Sequence, residues 1–300
     1  MFRFKKQFAV IAVLTSAILL LVSCVKEKQV VILSAANTAT AQAVGEIYAQ
    51  ALEAANYRVE RRFSLASNHD EHALHHALRD GHIDVYAGYT GDETFMLGKE
   101  PATNQYTIYD DLKEYFEEEG ITLLEPVPAN DAYTLAVLSE RSAAEKIKTL
   151  SELFEKSNNL KIAVTETFKN GKEGLGILEK SYGALSYDEI VTAEEKDLYA
   201  ALADKKADAA VVRQNDGLLS DSKYTALRDN FSAFVPQIIT PVVKKQFIEN
   251  NPAIRDVLNK VSATLNDNVV IELNKQLTVL NKDYKKVAKQ YLNDAGLLKK

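Results

Sequence analysis

An early stretch of the chain returns in worn form in its second half, and this recurrence limits the fold more than any other feature of the sequence. Ala77-Leu78-Arg79-Asp80-Gly81-His82-Ile83-Asp84 closes a helical pattern and opens a short apolar strand, and Ala201-Leu202-Ala203-Asp204-Lys205-Lys206-Ala207-Asp208 does the same. Asp84 answers Asp208, Val85-Tyr86 answers Ala209-Ala210, and Asp92 answers Asp216. Tyr89-Thr90-Gly91 and Arg213-Gln214-Asn215 then stand at equivalent strand exits. The pattern predicts two similar α/β lobes, each presenting a strand-end loop to a shared cleft, because open α/β sheets bind ligands beyond the carboxyl ends of their strands.

The flanking segments agree with that plan. Val30-Val31-Ile32-Leu33 is a continuous apolar run suited to a strand buried on both faces. A small polar turn, Ser34 to Thr40, leads into a helix with Val44, Ile47, Tyr48, Ala51 and Ala55 at helical spacing. Tyr57 and Val59 alternate with charged neighbours as the next strand, so the opening unit reads as βαβ and predicts a parallel sheet. Leu160-Lys161-Ile162-Ala163-Val164 opens a second such unit, after a helix on Leu150, Leu153 and Phe154 that Thr149 and Glu152 mark as a capping box. Pro126, Pro128, Asn130 and Asp131 interrupt the chain before the strand Tyr133 to Val137, which predicts a first crossing between lobes. The proline-flanked stretch Phe234 to Val243 predicts the return, and two crossings define a hinge. The expected divisions are 30–131 with 238–300 as the first lobe and 132–237 as the second.

Residues 1–23 read as a leader, with Arg3, Lys5 and Lys6 before an apolar run from Phe8 to Val22. Leu21-Val22-Ser23-Cys24 follows and resembles the bacterial lipobox, which implies cleavage before Cys24, lipidation of that sole cysteine and a short tether over 24–29. The expected location is therefore the cell membrane, lipid-anchored on the extracytoplasmic face. A net charge of -6 without basic clusters excludes nucleic acid as a partner. All 5 histidines fall between His69 and His82. His69, His72 and His76 would share one side of a helix, so a zinc-receptor lipoprotein is the alternative reading, against a solvated helix face. No GxSxG, HExxH or phosphate-cradling glycine pattern is present, and the expectation is a non-enzyme without a cofactor.

Ile83 to Gly91, Pro126 to Val137, Leu178-Glu179-Lys180-Ser181-Tyr182-Gly183 and Pro241-Val242-Val243 resemble the glycine betaine/carnitine/choline-binding lipoproteins of osmoprotectant ABC importers. The resemblance implies a two-lobed type II periplasmic-binding fold, a small-molecule solute, a membrane permease and a cytoplasmic ATPase. It also implies a cage of tyrosines for a quaternary ammonium group and a Lys/Arg clasp for a carboxylate. On this sequence Tyr89, Thr90 and Tyr133 match, and Ser34 and Asn37 fall in the first strand-end loop. The third cage position is Arg213, and the fourth falls at Gln237 or Ile238. The clasp positions carry Ala35 and Gly171, with Lys172 adjacent. Two orientations of Arg213 are open at this point: into the cleft, where it would retune the solute toward an anionic or amide group, or away, paired with Asp216 or Asp92.

Overall fold

The structure is a computed structural model that describes residues 29–63, 65, 71–156, 159–183 and 185–298. The leader, Cys24, most of the tether and His69 lie outside the described residues. Strand β1 (Val30–Ala35) runs parallel to β2 (Arg58–Arg61) on one side and to β3 (Val85–Tyr89) on the other. The helix Ala39–Ala54 connects β1 to β2, and the Thr38 hydroxyl caps it by accepting the Ala41 N–H. Strand β10 (Ile239–Lys244) then lies antiparallel against β3, with β4 (Ile121–Leu123) antiparallel at the edge, giving the order β2-β1-β3-β10-β4.

The second sheet repeats this arrangement. Strand β6 (Leu160–Val164) is parallel to β7 (Tyr187–Thr192) and to β8 (Ala209–Arg213). Strand β5 (Tyr133–Leu138) runs antiparallel to β8, and β9 (Tyr224–Ala226) forms the edge, so the order is β7-β6-β8-β5-β9. The fold is the expected two-lobed α/β architecture, but both sheets are mixed rather than parallel. Each lobe accepts one returning strand from a crossing, and only the antiparallel direction fits a strand entering at that end.

The repeat seen in the sequence is a repeat of hydrogen bonds. Asp84 accepts the Ile32 N–H at 2.8 Å, while its own N–H donates to the Ile32 carbonyl. Asp208 accepts the Lys161 N–H at 2.9 Å and donates to the Lys161 carbonyl in the same way. The turn before each strand is left-handed at Gly81 and at Lys205, and each returns its N–H groups to the helix end at Ala77 or Ala201. A carboxylate at this point ties the entering strand to its parallel neighbour.

Burial follows the two-residue period of strands. In the second lobe, Leu135, Val137, Ile162, Val164 and Val211 face one core, while Ala136, Ala163, Ala210 and Val212 face another with Leu198 and Leu202. In the first, Val31, Leu33 and Val85 pack with Ile47, Leu52, Leu258 and Leu292. The Thr149–Glu152 capping box forms as read, with each side chain accepting the other's backbone N–H. His75 is buried against Phe116 and Glu119, whereas His72 and His76 lie on the exposed face of the helix Glu71–Arg79. Among the described residues no group of three His, Cys, Asp or Glu comes together as a metal site.

The two crossings run side by side between the lobes. Asn130 and Ile238 form an antiparallel bridge, and the Asn130 carbonyl oxygen of the side chain accepts N–H groups from Ala132 at 3.1 Å and Gln237 at 2.9 Å. One amide thus staples both strands of the hinge. Asn130→Ala leaves two backbone donors without that acceptor, and the expected loss is about 1–3 kcal/mol, measured as a lower urea midpoint with unchanged slope.

Candidate ligand-binding site

The antiparallel pairings decide which residues meet. Ile239 opposes Tyr89 at the end of β3, and Tyr133 opposes Arg213 at the end of β8. Each crossing therefore joins its sheet beside a parallel strand's carboxyl end, so residues 89, 131–133, 213 and 237 converge from four separate parts of the chain.

Tyr89 is buried, and its hydroxyl donates to Asp131 Oδ2 at 3.1 Å while lying 2.9 Å from the Thr38 hydroxyl. Thr38 accepts from Ala41, so its own proton is free for Tyr89 and a relay runs from Thr38 through Tyr89 to Asp131. Burial pushes the Asp131 carboxyl up to about 6, against the pull of Arg213 and Tyr89. Its Oδ1 is buried without a partner among the described residues. Thr90 is tied into the second crossing, donating to the Pro236 carbonyl at 3.1 Å and accepting the Ile238 N–H at 3.2 Å. The residues after Tyr89 form a helix, Thr90–Met96, where the sequence suggested only a loop.

Arg213 turns toward Tyr133 and the first crossing. Its guanidinium carbon sits 3.8 Å from the centre of the Tyr133 ring, and Nη1 donates to the Asp131 carbonyl at 3.2 Å. Tyr133 is held edge-on by Phe168 at 5.0 Å and flanked by Phe234 at 6.1 Å between ring centres. Asp216, three residues on, accepts the Leu218 N–H and caps the short turn Gly217–Ser220. Its carboxyl is raised by burial.

Gln237 is the fourth position and is clamped from both lobes. Its Nε2 donates to Asp92 Oδ1 at 2.9 Å and reaches Glu173 Oε2 at 3.5 Å, while its Oε1 accepts the Asp92 N–H at 3.3 Å. Gly91 has to be glycine for this, since an added Cβ would stand 2.7 Å from the Gln237 amide. Glu173 Oε1 also accepts the Val235 N–H at 3.2 Å, and burial raises its carboxyl against the pull of Arg213.

Two predicted positions lie to the side of this group. The Ser34 hydroxyl donates to the Arg62 carbonyl, and the Asn37 side chain accepts from Gln42. Lys172 points across to Phe95, 5.7 Å from that ring's centre. Thr38, Asp131 and Glu173 were not singled out from sequence. Asp131 read as a strand breaker and Glu173 sat inside a glycine-punctuated loop; both had an acidic side chain beside an irregular segment as their only signal. Among the described residues, this group sets the Arg213 guanidinium among the carboxyls of Asp92, Asp131 and Glu173.

Comparison with known proteins gives one sequence family, described as the substrate-binding domain of ABC-type glycine betaine transport systems, which matches residues 29–294. The ergothioneine transport permease/ergothioneine binding protein EgtU of Helicobacter pylori is 26% identical over 85% of this chain, which spans 45% of that protein's length. The glycine betaine-binding protein YehZ of Escherichia coli is 27% identical over 74% of this chain and 77% of its own. Among solved structures, a glycine betaine/carnitine/choline ABC transporter protein superposes with a TM-score of 0.81 at 19% identity, over 90% of this chain and 100% of that one. Apo YehZ from E. coli superposes at 0.76 and 24% identity, over 89% and 99%.

Glu93 lies beneath the site, wholly buried beside Tyr86 at Gly88, and burial pushes its carboxyl up to about 8 from an ordinary 4.5. The folded chain therefore keeps a proton that the unfolded chain has released, and stability falls as pH rises through that window. The slope reaches about 1.4 kcal/mol per pH unit for one such group. Glu93→Gln is expected to flatten urea stability between pH 5 and pH 8 and to exceed the wild type at pH 8.

Proposed function

The chain belongs to the family of substrate-binding domains of ABC-type glycine betaine transport systems, and from that premise we propose which solute it takes and where it works. It is a solute-binding protein, not an enzyme. Its solute presents a carboxylate or amide to Arg213 and is not a bare quaternary ammonium such as choline. The observation that carries this is the guanidinium seated on the Tyr133 ring at 3.8 Å and bonded to the Asp131 carbonyl. An aromatic face and a carbonyl oxygen are the partners a methylated ammonium seeks. Here the protein's own cation already occupies both, and a second cation brought against it would meet repulsion in a desolvated cleft.

The remaining guanidinium N–H groups suit a carboxylate, which takes two parallel hydrogen bonds from a guanidinium. The carboxyls of Asp92 and Glu173 on the Gln237 side suit a positive end, so the solute is a zwitterion laid between them. Ergothioneine and glycine betaine, named for two of the relatives, are both zwitterions and belong in the first panel. Ser34, Asn37, Tyr89, Thr90, Tyr133, Arg213, Asp216 and Gln237 are the proposed site residues, to which the geometry adds Asp131 and Glu173. The lobes divide at 131/132 and 237/238, beside the Asn130–Ile238 bridge.

We place the chain on the extracytoplasmic face, held by lipid on Cys24 after removal of 1–23 and a tether over 24–29, with a membrane permease and cytoplasmic ATPase as partners. In metabolic labelling with radioactive palmitate, Cys24→Ser is expected to abolish incorporation into the protein; incorporation that persists would remove the anchor from this account.

The solute reading is tested by thermal melts against choline, glycine betaine, carnitine, ergothioneine and amino acids. A ligand at 100 times its Kd adds about 2.7 kcal/mol. Carboxylate-bearing members are expected to stabilise the wild type while choline does not. Arg213→Ala is expected to weaken the carboxylate ligand by about 10- to 100-fold, the scale of a charged hydrogen bond, and Arg213→Tyr to gain choline binding. Stabilisation of the wild type by choline would overturn the reading.

A further inference from the structure

Besides the two crossings and the reach of Lys172 to Phe95, the lobes touch at a further place. The helix Asp267–Asn274 belongs to the first lobe's core through Val270 and Leu273, and it runs into a π turn over Lys275–Val279. At that junction it meets the second lobe just after β8. Asn274, 5% exposed, donates from Nδ2 to the Asn215 carbonyl at 2.7 Å and to the Thr40 hydroxyl at 3.0 Å. Gly217 lies flat against the same helix: an added Cβ would stand 2.4 Å from the Lys275 backbone nitrogen and 2.6 Å from its Cα.

These contacts bear on the binding loop from behind. Arg213 and Gly217 are four residues apart on one strand exit; the first faces the cleft and the second is pinned to the first lobe. Thr40, the other partner of Asn274, sits in the same first helical turn as Thr38, which holds Tyr89. A single buried amide therefore connects the Tyr89 side of the site in one lobe to the Arg213 side in the other. The π turn widens the helix at this junction, with the Leu280 N–H reaching the Lys275 carbonyl at 2.9 Å, a local geometry that recurs at functional positions.

We propose that Asn274 and Gly217 form a strut between the lobes that works without solute: it fixes the angle of the cleft and makes Asn274 a positioning residue for Arg213. The inference holds for any solute that enters between the lobes, and is independent of which one does. A hinge with two strands alone can both bend and twist, whereas a third contact off the line of the crossings removes the twist and biases the bend. Loss of the Asn274 amide leaves a buried carbonyl and a buried hydroxyl without their donor, which disfavours this lobe arrangement directly.

The test reads the distance between lobes in the absence of any solute. Spin labels are placed at the exposed positions Glu100→Cys in the first lobe and Lys169→Cys in the second, in the full chain carrying Cys24→Ser in detergent. Double electron–electron resonance is expected to give one narrow distance for the otherwise unchanged chain. Asn274→Ala and Gly217→Ala are expected to add a longer-distance population and lower the ratio of this arrangement to the open one about tenfold or more, with far-UV circular dichroism unchanged. If Gly217→Ala fails to fold, Asn274→Ala carries the test, because it removes atoms and adds none. A broad distribution before any strut mutation overturns the proposal. So does a lower melting temperature with an unchanged distance distribution, which would make the contact structural only.

Discussion

Each lobe completes its sheet by laying an incoming strand antiparallel against the strand whose end carries the site. That pairing puts Tyr133 opposite Arg213 and Ile239 opposite Tyr89, and the other features of the cleft follow from it. Had either strand entered in the parallel sense, its crossing would join the sheet at the far end and Asp131 and Gln237 would lie a strand's length away. The register also explains why the hinge and the binding site share residues. Asn130 and Gln237 hold the crossings together, and Asp131 and Gln237, in those same crossings, belong to the proposed site.

The electrostatics of the cleft depend on one cation. Arg213 lies among Asp92, Asp131 and Glu173 and is held by a ring face and a backbone carbonyl, neither of which carries a full charge. A guanidinium anchored this way keeps its charge directed at its surroundings, whereas one locked in a bidentate ion pair would have it neutralised. The carboxyls of Asp131 and Glu173 are raised by burial.

Much of the fold was legible because local chemistry and global topology agree. The strand-start aspartates and the left-handed turns before them recur at a fixed offset, and they mark equivalent strands because each carboxylate bonds the backbone of a parallel neighbour. Apolar runs at β1 and β6 read as strands for the same reason, being covered on both faces. The helix Thr90–Met96 was hidden because Thr90, Gly91 and Asp92 look like a turn; what makes them helical is tertiary, through Thr90 bonding the second crossing and Gln237 resting on Gly91. Of the site, Tyr89, Tyr133 and Arg213 were visible from their places in matched segments. Glu173 and Asn274 were not, since a loop acid and a mid-helix amide carry no pattern, and their partners lie 62 and 59 residues away in the chain.

The insertion of β10 between β3 and β4 also sets the order in which an exported chain can fold. The second lobe is one continuous segment, and all five of its strands precede residue 239. The first lobe lacks its fourth strand and its carboxyl-terminal helices until the rest of the chain has emerged. During that interval β3, whose five residues are all buried in the finished molecule, presents a bare apolar edge of the kind that pairs with other chains. The half made first is thus the half finished last, and it keeps an open apolar edge for the longer time.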